Sequence, residues 1–254
     1  MPVSADAPHD TMTDTLKYKR VVLKISGESL CETGSSGVET AQLNLVADEI
    51  ASAKQTGVEL ALVIGAGNLL RGRDLSSPDA RKNIHRTTAD YMGMLGTVMN
   101  AIAVRDALEA RGLPTVAMSA IPMPTVCEPY CRRDAVASLR AGKVVIFAGG
   151  TGSPFFTTDM CAALRAAEID AQVVMKATKV DGVYDRDPVN DPSAVKYDQL
   201  TYGKVLADAL GVMDLTAITM CMESQMPIMV FQFDKPGNLR RALAGEHVGT
   251  VISE

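Results

Sequence analysis

The chain has 254 residues, 47% hydrophobic and 22% charged, with 25 Lys+Arg against 30 Asp+Glu for a net charge of −5. These proportions exclude a disordered chain, and the length suffices to bury a core without a disulfide or metal staple. The acidic balance argues against a nucleic-acid binder while leaving room for a small-anion pocket, and with 4% aromatic residues and no Trp the core must be aliphatic.

Residues 1–17 are polar and lack an apolar signal core, so they read as a disordered tail ahead of one domain spanning 18–254. The first predicted strand is Arg20–Ile25, β-branched and apolar except for Lys24 near its end. A Gly/Ser-rich loop, Ser26–Gly37, follows. Leu43, Val46, Ala47, Ile50 and Ala53 then fall at helical spacing within 39–55, and Gly57 closes that helix. Val58–Ile64 is the second strand, ending in Gly65-Ala66-Gly67-Asn68. A long helix is predicted over 87–109, a strand over 114–118, irregular chain over 121–129, a short helix over 134–140 and a strand over 143–147. The loop Ala148–Thr157 leads into a helix over 158–167 and a strand over 171–176. After a hairpin or excursion over 180–192, helices are predicted near 202–210 and 214–224, a strand over 227–231, a helix over 237–244 and a strand over 248–252. Strand and helix alternate without a linker or repeat. This predicts an α/β fold, with a large, mostly parallel sheet covered on both faces and right-handed crossovers.

Three Gly-rich loops follow strands: Ser26-Gly27, Gly65–Gly67 and Gly149–Ser153. In such sheets the carboxyl ends of the strands form the ligand crevice, where glycine loops and helix N-termini bind phosphate. Lys24, Arg71, Arg73, Lys176 and Lys179 lie beside those loops. Lys24 sits inside an apolar run, so its ammonium is expected at the strand end. No Walker, dinucleotide-binding or protein-kinase signature occurs, and no GxSxG points to a serine hydrolase. His9, His85 and His247 are scattered. The five cysteines (Cys31, Cys127, Cys131, Cys161 and Cys221) are odd in number and form no CxxC pair, which predicts reduced thiols, no side-chain metal cluster and a cytoplasmic setting. No apolar run is long enough to span a membrane.

Five segments together carry a resemblance. They are Lys24-Ile-Ser-Gly27-Glu28, Val63-Ile-Gly-Ala-Gly67-Asn-Leu-Leu-Arg71-Gly72, Ala89-Asp90-Tyr-Met-Gly-Met-Leu-Gly96, Gly150-Thr-Gly-Ser-Pro-Phe-Phe-Thr-Thr-Asp159 and Lys176-Ala-Thr-Lys-Val-Asp-Gly-Val-Tyr184. They resemble the bacterial uridylate (UMP) kinases, a branch of the amino acid kinase superfamily. The resemblance runs from about Lys17 to the C-terminus. It implies an αβα sandwich, a homohexamer, and Mg²⁺-dependent transfer of the ATP γ-phosphate to UMP in pyrimidine nucleotide synthesis. By resemblance, Lys24, Ile25, Ser26, Gly27, Gly67 and Arg71 contact ATP phosphates, and Thr178, Tyr184 and Asp187 line the adenosine pocket. Ala66, Asp90, Thr151, Gly152, Ser153, Pro154, Phe155, Phe156, Thr157 and Thr158 surround UMP, with Asp90 on its ribose. Lys24, Asp159 and Asp214 lie at the transfer centre.

Two departures bear on affinity for UMP: Ala66 stands where the family has Gly, and Ser153 where Asn is usual. Arg105 matches a basic residue of the family's GTP site, but Glu109 falls where His is expected, so GTP activation stays open while UTP inhibition is expected. The chemistry agrees with the resemblance. Phosphoryl transfer needs positioning and charge neutralisation, and a UMP phosphate oxygen is already a nucleophile. Two other readings keep the fold: a kinase for an amino-acid carboxylate or carbamate, and a nucleotide-dependent binding protein like the molybdenum storage relatives.

Overall fold

The structure is a computed structural model and describes residues 16–70 and 84–254. The strands are β1 (Arg20–Ile25), β2 (Glu59–Ile64), β3 (Thr115–Ser119), β4 (Glu128–Pro129), β5 (Val144–Ala148), β6 (Val173–Thr178), β7 (Val183–Tyr184), β8 (Lys196–Tyr197), β9 (Gln199–Thr201), β10 (Ile228–Gln232) and β11 (Gly249–Ser253). The helices are α1 (Thr40–Lys54), α2 (Arg86–Glu109), α3 (Arg132–Arg140), α4 (Thr158–Glu168), α5 (Tyr202–Ala207), α6 (Leu215–Glu223) and α7 (Asn238–Ala244). Nine strands form one sheet in the order β4-β3-β5-β2-β1-β6-β10-β11-β9, and β7 pairs with β8 apart from it. Within the large sheet only β10 and β11 run antiparallel.

Side chains alternate across a strand, so β1 and β6 each feed two cores. Val21, Leu23, Val173 and Met175 face one layer, with Ile50 of α1, Val104 of α2 and Leu243 of α7. Val22 and Val174 face the other, with Leu139 of α3, Ala162 of α4 and Ile218 of α6. The result is the expected αβα sandwich. Each fully buried Leu, Ile or Val contributes roughly 1.5–3 kcal/mol, which lets an aliphatic core suffice without Trp.

Three details differ from the sequence reading. A 3-10 turn, Gly27–Leu30, opens the first loop because the Ser26 side chain accepts from Glu28 N–H and caps it. Glu128–Pro129, expected to be irregular, adds a two-residue edge strand to β3. Gln199–Thr201 adds another edge beside β11, although its alternation is too short to signal a strand. The expected tail falls outside the described residues up to 15. Leu16 already packs against the core, and Lys17 N–H donates to the Leu243 carbonyl.

Candidate active site

The parallel strands deliver the three Gly-rich loops to one edge of the sheet, as their order predicts. β1 ends at Ser26-Gly27, β2 at Gly65–Asn68 and β5 at Gly149–Ser153. Gly27 is required by close approach: a Cβ there would lie 2.5 Å from both the Gly65 carbonyl oxygen and Asn68 Oδ1. Asn68 is buried, donates to the Gly37 carbonyl at 2.7 Å and pairs with Asn100 of α2, which itself donates to the Gly65 carbonyl. This network sets the second loop on α2.

Two cavities open on this edge. The larger, about 780 Å³, is lined by Ala66, Gly67, Asp90, Gly150, Phe155, Phe156, Thr157 and Thr158. The smaller, about 430 Å³, is lined by Lys176, Thr178, Tyr184, Asp187, Leu210 and Val212. Both volumes suit small organic ligands. Of the expected site residues, Arg71 lies outside the described residues.

Between the cavities stands a buried charge cluster. Lys24 and Lys176 are partners in the β1–β6 register. Both follow buried valines (Val22 and Val174) on the face covered by α4, and Asp159 lies in the first turn of that helix. Lys24 Nζ is 2.8 Å from Asp159 Oδ1, and Lys176 Nζ donates to Oδ2 at 2.7 Å. Lys176 also donates to the Val212 carbonyl. Asp159 bridges both ammonium groups, and all three side chains are at most 16% exposed. A buried ion pair adds little net stability, so two lysines gathered on one carboxylate call for a different account, such as a bound anion. Burial lowers the Lys176 pKa below the usual lysine value, and the Lys24 ammonium adds to that; the Asp159 and Asp214 carboxylates offset part of it. Lys176 was legible in the sequence only as a cation near a loop, not as a member of the site.

Asp214 and Thr157 join two helix starts. Thr157 caps α4 by accepting from the Asp159 and Met160 N–H groups, and its hydroxyl donates to Asp214 Oδ2. Asp214 in turn caps α6, accepting from Ala217 N–H at 3.0 Å and the Thr216 hydroxyl at 2.7 Å. Burial pushes the Asp214 pKa up, but these hydrogen bonds outweigh it and hold the carboxyl below its ordinary range. Both carboxylate oxygens are thus occupied by protein donors.

At the mouth of the larger cavity, Asp90 on α2 accepts from Phe155 N–H at 2.8 Å and pairs with Arg86 at 3.3 Å. Arg86 lies over the Phe155 ring, and Phe155 holds a left-handed φ of 74°. Thr151 and Ser153 hydrogen-bond each other, Pro154 follows them, and Phe155 and Phe156 are exposed. Ala66 is not among the residues with positive φ, so the backbone there does not need glycine. In the smaller cavity Thr178 Oγ1 lies 2.7 Å from the Val180 carbonyl and 3.0 Å from that of Phe231, Tyr184 donates to Asp181 at 2.5 Å, and Asp187 accepts from Val189 N–H at 2.9 Å. Ile25 is fully buried under the first loop.

The amino acid kinase family matches residues 19–232 of the chain. A uridylate kinase from Legionella pneumophila (strain Lens) is 53% identical over 237 residues, covering 93% of this chain and 94% of the relative. The chain belongs to the uridylate kinases of the amino acid kinase family. Solved structures agree in shape. UMP kinase from Bacillus anthracis superposes with a TM-score of 0.89 at 39% identity over 93% of this chain and 96% of that one. UMP kinase from Ureaplasma parvum gives 0.86 at 33% identity over 94% and 100%. For the kinase, no group of three or more His, Cys, Asp or Glu side chains forms a metal cage among the described residues, and no described helix is long and apolar enough to cross a membrane.

Proposed function

We propose that the chain transfers the γ-phosphoryl group of ATP to the phosphate of UMP, giving UDP and ADP in pyrimidine nucleotide synthesis. The observation that carries this is the Lys24–Asp159–Lys176 cluster, two lysines sharing one carboxylate, between two ligand-sized cavities. ATP fits the smaller cavity, its adenosine beside Thr178, Tyr184 and Asp187, with its phosphates reaching Lys24–Gly27 and Gly67. UMP fits the larger, its ribose diol on Asp90, a carboxylate suited to accept from hydroxyls. Asp90 has acceptor capacity beyond the Phe155 N–H and the 3.3 Å Arg86 contact, so it can receive the ribose hydroxyls as well.

The in-line transfer then runs past the two ammonium groups. Lys24 and Lys176 match charge on the transferring phosphoryl and the leaving ADP oxygen, and Asp159 holds them apart and aimed. No general base is needed, because the attacking UMP oxygen is already anionic. Phe155 and Phe156 cover the acceptor side and limit water access. Thr157 and Asp214 fix the relative positions of α4 and α6, which carry the acceptor loop and the donor-cavity wall.

A divalent cation accompanies ATP in such kinases, and we assign Mg²⁺. Both Asp159 oxygens already face lysine ammonium groups, so this carboxylate would not be the main ligand. Phosphate oxygens and water would complete a shell that needs few protein ligands. Bound, it would add charge neutralisation on the phosphates.

UTP carries the nucleoside of UMP and is assigned as an inhibitor of the same cavity. On α2, Tyr91, Leu95 and Met99 recur one turn apart and are exposed, which supports assembly into the homohexamer that the resemblance implies. The free thiols of Cys127, Cys131, Cys161 and Cys221 suit the reducing cytoplasm.

The test is a coupled ADP-release assay with ATP and a panel of acceptors, run with and without UTP and GTP. Turnover with UMP above all other acceptors is the expected result. Turnover with a carboxylate or carbamate acceptor and none with UMP would overturn the reading, as would ATP binding without transfer to any acceptor. Asp90→Asn separates the subsites: it raises KM for UMP more than KM for ATP, and equal effects would remove Asp90 from the ribose.

A further inference from the structure

Gly150 of the loop Gly149–Gly152 lines the larger cavity beside Thr97, and the loop's backbone is improbable on its own. Gly149, Gly150 and Gly152 all take left-handed φ values, 72°, 60° and 87°. Three glycines in such conformations leave the unfolded loop with unusual freedom, which the folded chain must remove. A Cβ on Gly149 would meet Ser119 Oγ at 2.9 Å, so no larger residue could stiffen it.

Two buried side chains restrain it from opposite layers of the sandwich. From α2, Thr97 Oγ1 accepts the Gly149 N–H at 2.9 Å while donating to the Met94 carbonyl at 2.6 Å. From α4, Arg165 Nη2 approaches the Gly150 carbonyl at 3.5 Å. Each of the two residues is 4% exposed. The Arg165 guanidinium is itself fixed: Nη1 pairs with Glu168 at 2.6 Å, and the group stacks 3.8 Å above the Tyr130 ring, whose hydroxyl also donates to Glu168. Glu168 is 32% exposed, so its pair with Arg165 is only partly buried and adds little stability. Together with the Tyr130 ring it aims the guanidinium at the Gly150 carbonyl.

We propose that Thr97 and Arg165 are positioning residues that hold the Gly149 N–H and the Gly150 carbonyl, the peptide groups on either side of the Gly149–Gly150 bond, and so set affinity for the acceptor nucleotide. This rests on the UMP kinase reading. The clamp acts on a wall of the acceptor cavity and touches no part of the donor cavity. Its loss therefore shows as a selective change, whereas general loosening of the fold does not.

The experiment measures KM for UMP and for ATP separately in the full chain carrying Thr97→Val, Thr97→Ser, Arg165→Met or Arg165→Lys. Thr97→Val strands the Gly149 N–H, and Arg165→Met removes the donor facing the Gly150 carbonyl while Glu168 keeps the Tyr130 hydroxyl. Each is expected to raise KM for UMP about fivefold or more while KM for ATP stays within about twofold. Thr97→Ser keeps the hydroxyl and restores the wild-type ratio, and Arg165→Lys recovers part of it. UMP binding by calorimetry should follow the same order. The proposal is overturned if both KM values rise together, or if Thr97→Val leaves KM for UMP within about twofold of wild type. Should Arg165→Met fail to fold, the Thr97 pair, which differs by one buried hydroxyl, decides. Wild-type enzyme without UMP turnover would instead overturn the functional reading, before any variant is compared.

Discussion

Lys24 and Lys176 occupy the same rung of the paired strands β1 and β6, and their ammonium groups both end on the carboxylate of Asp159. Two like charges are brought side by side at low exposure on one shared carboxylate, with Asp214 acting on Lys176 from farther off. Their mutual repulsion is relieved once a polyphosphate arrives. Electrostatic groups held in place beforehand need no reorganisation as charge develops, and removing one such donor costs roughly 2.7–4 kcal/mol in comparable sites. Lys24→Ala and Lys176→Ala should therefore each lower kcat by at least about 10²-fold. The double variant should lose less than the product of the two, because the pair acts through one shared carboxylate. Single-turnover rates at saturating ATP and UMP check this, and near wild-type turnover in Lys176→Ala would remove that residue from the transfer step.

The same geometry gives a pH signature. Burial, with Lys24 beside it, keeps the Lys176 pKa below the usual lysine value despite Asp159 and Asp214. A kinase that needs this ammonium loses activity as pH rises through the lowered value, earlier than an exposed lysine would allow. Stability moves the other way. Between the folded and unfolded pKa values the unfolded chain holds the extra proton, so this lysine makes stability rise with pH over that interval. Lys176→Arg keeps its charge and should move the alkaline limb of kcat upward. An alkaline limb identical in wild type and Lys176→Arg would assign it to another group.

Much of this was legible in the chain itself. Lys24 and Lys176 each close an apolar strand, and period-2 alternation puts each on the same face as the buried valine two residues before it. Parallel strands with helical crossovers then force the following loops to one edge, which is why Gly67, Gly150 and the segments of Asp90 and Phe155–Thr158 meet around one cavity, while Ser26-Gly27 is not part of its lining. The sequence could not show that the two lysines share a rung, because register between distant strands depends on packing across the whole sheet. It could not show that Asp214 caps a helix and accepts from Thr157, since a carboxylate before a helix reads equally as cap or catalyst. The edge strand Gln199–Thr201 was hidden because three residues carry no periodicity.

The Thr157–Asp214 hydrogen bond ties the N-terminus of α4 to that of α6. Thr157→Val removes a donor to a partly buried carboxylate and a helix cap together, which costs about 1–3 kcal/mol. It should lower Tm and raise KM for both nucleotides, because one helix starts at the acceptor cavity and the other beside the donor cavity. Asp214 also adds an acid dependence. Its folded pKa lies below the ordinary carboxylate value, so its contribution is complete above that value and is lost as pH falls through the depressed one. Urea unfolding of wild type and Asp214→Asn between roughly pH 5 and pH 2 should converge at the acid end. Curves that stay parallel would show that Asp214 contributes no such linkage.

Ala66 replaces a residue that is glycine in relatives by resemblance, and its backbone shows why alanine is accepted. Its φ is not positive, and its methyl faces α2 at Gly96, where an added Cβ would lie 2.9 Å from Ala66 Cβ. The two positions share room for one methyl group. Gly96→Ala alone should destabilise the protein, although alanine is favoured over glycine in a helix by about 0.8–1 kcal/mol. Ala66→Gly clears the space, so the double variant Ala66→Gly/Gly96→Ala should be more stable than Gly96→Ala alone and should recover that helix propensity. Ala66→Gly by itself should change KM for UMP by less than about threefold, since no strained conformation is relieved. A double-mutant cycle by thermal unfolding measures the coupling. Simple additivity would mean that α2 shifts to admit both methyl groups, and that the Ala66 position is not set by contact with Gly96.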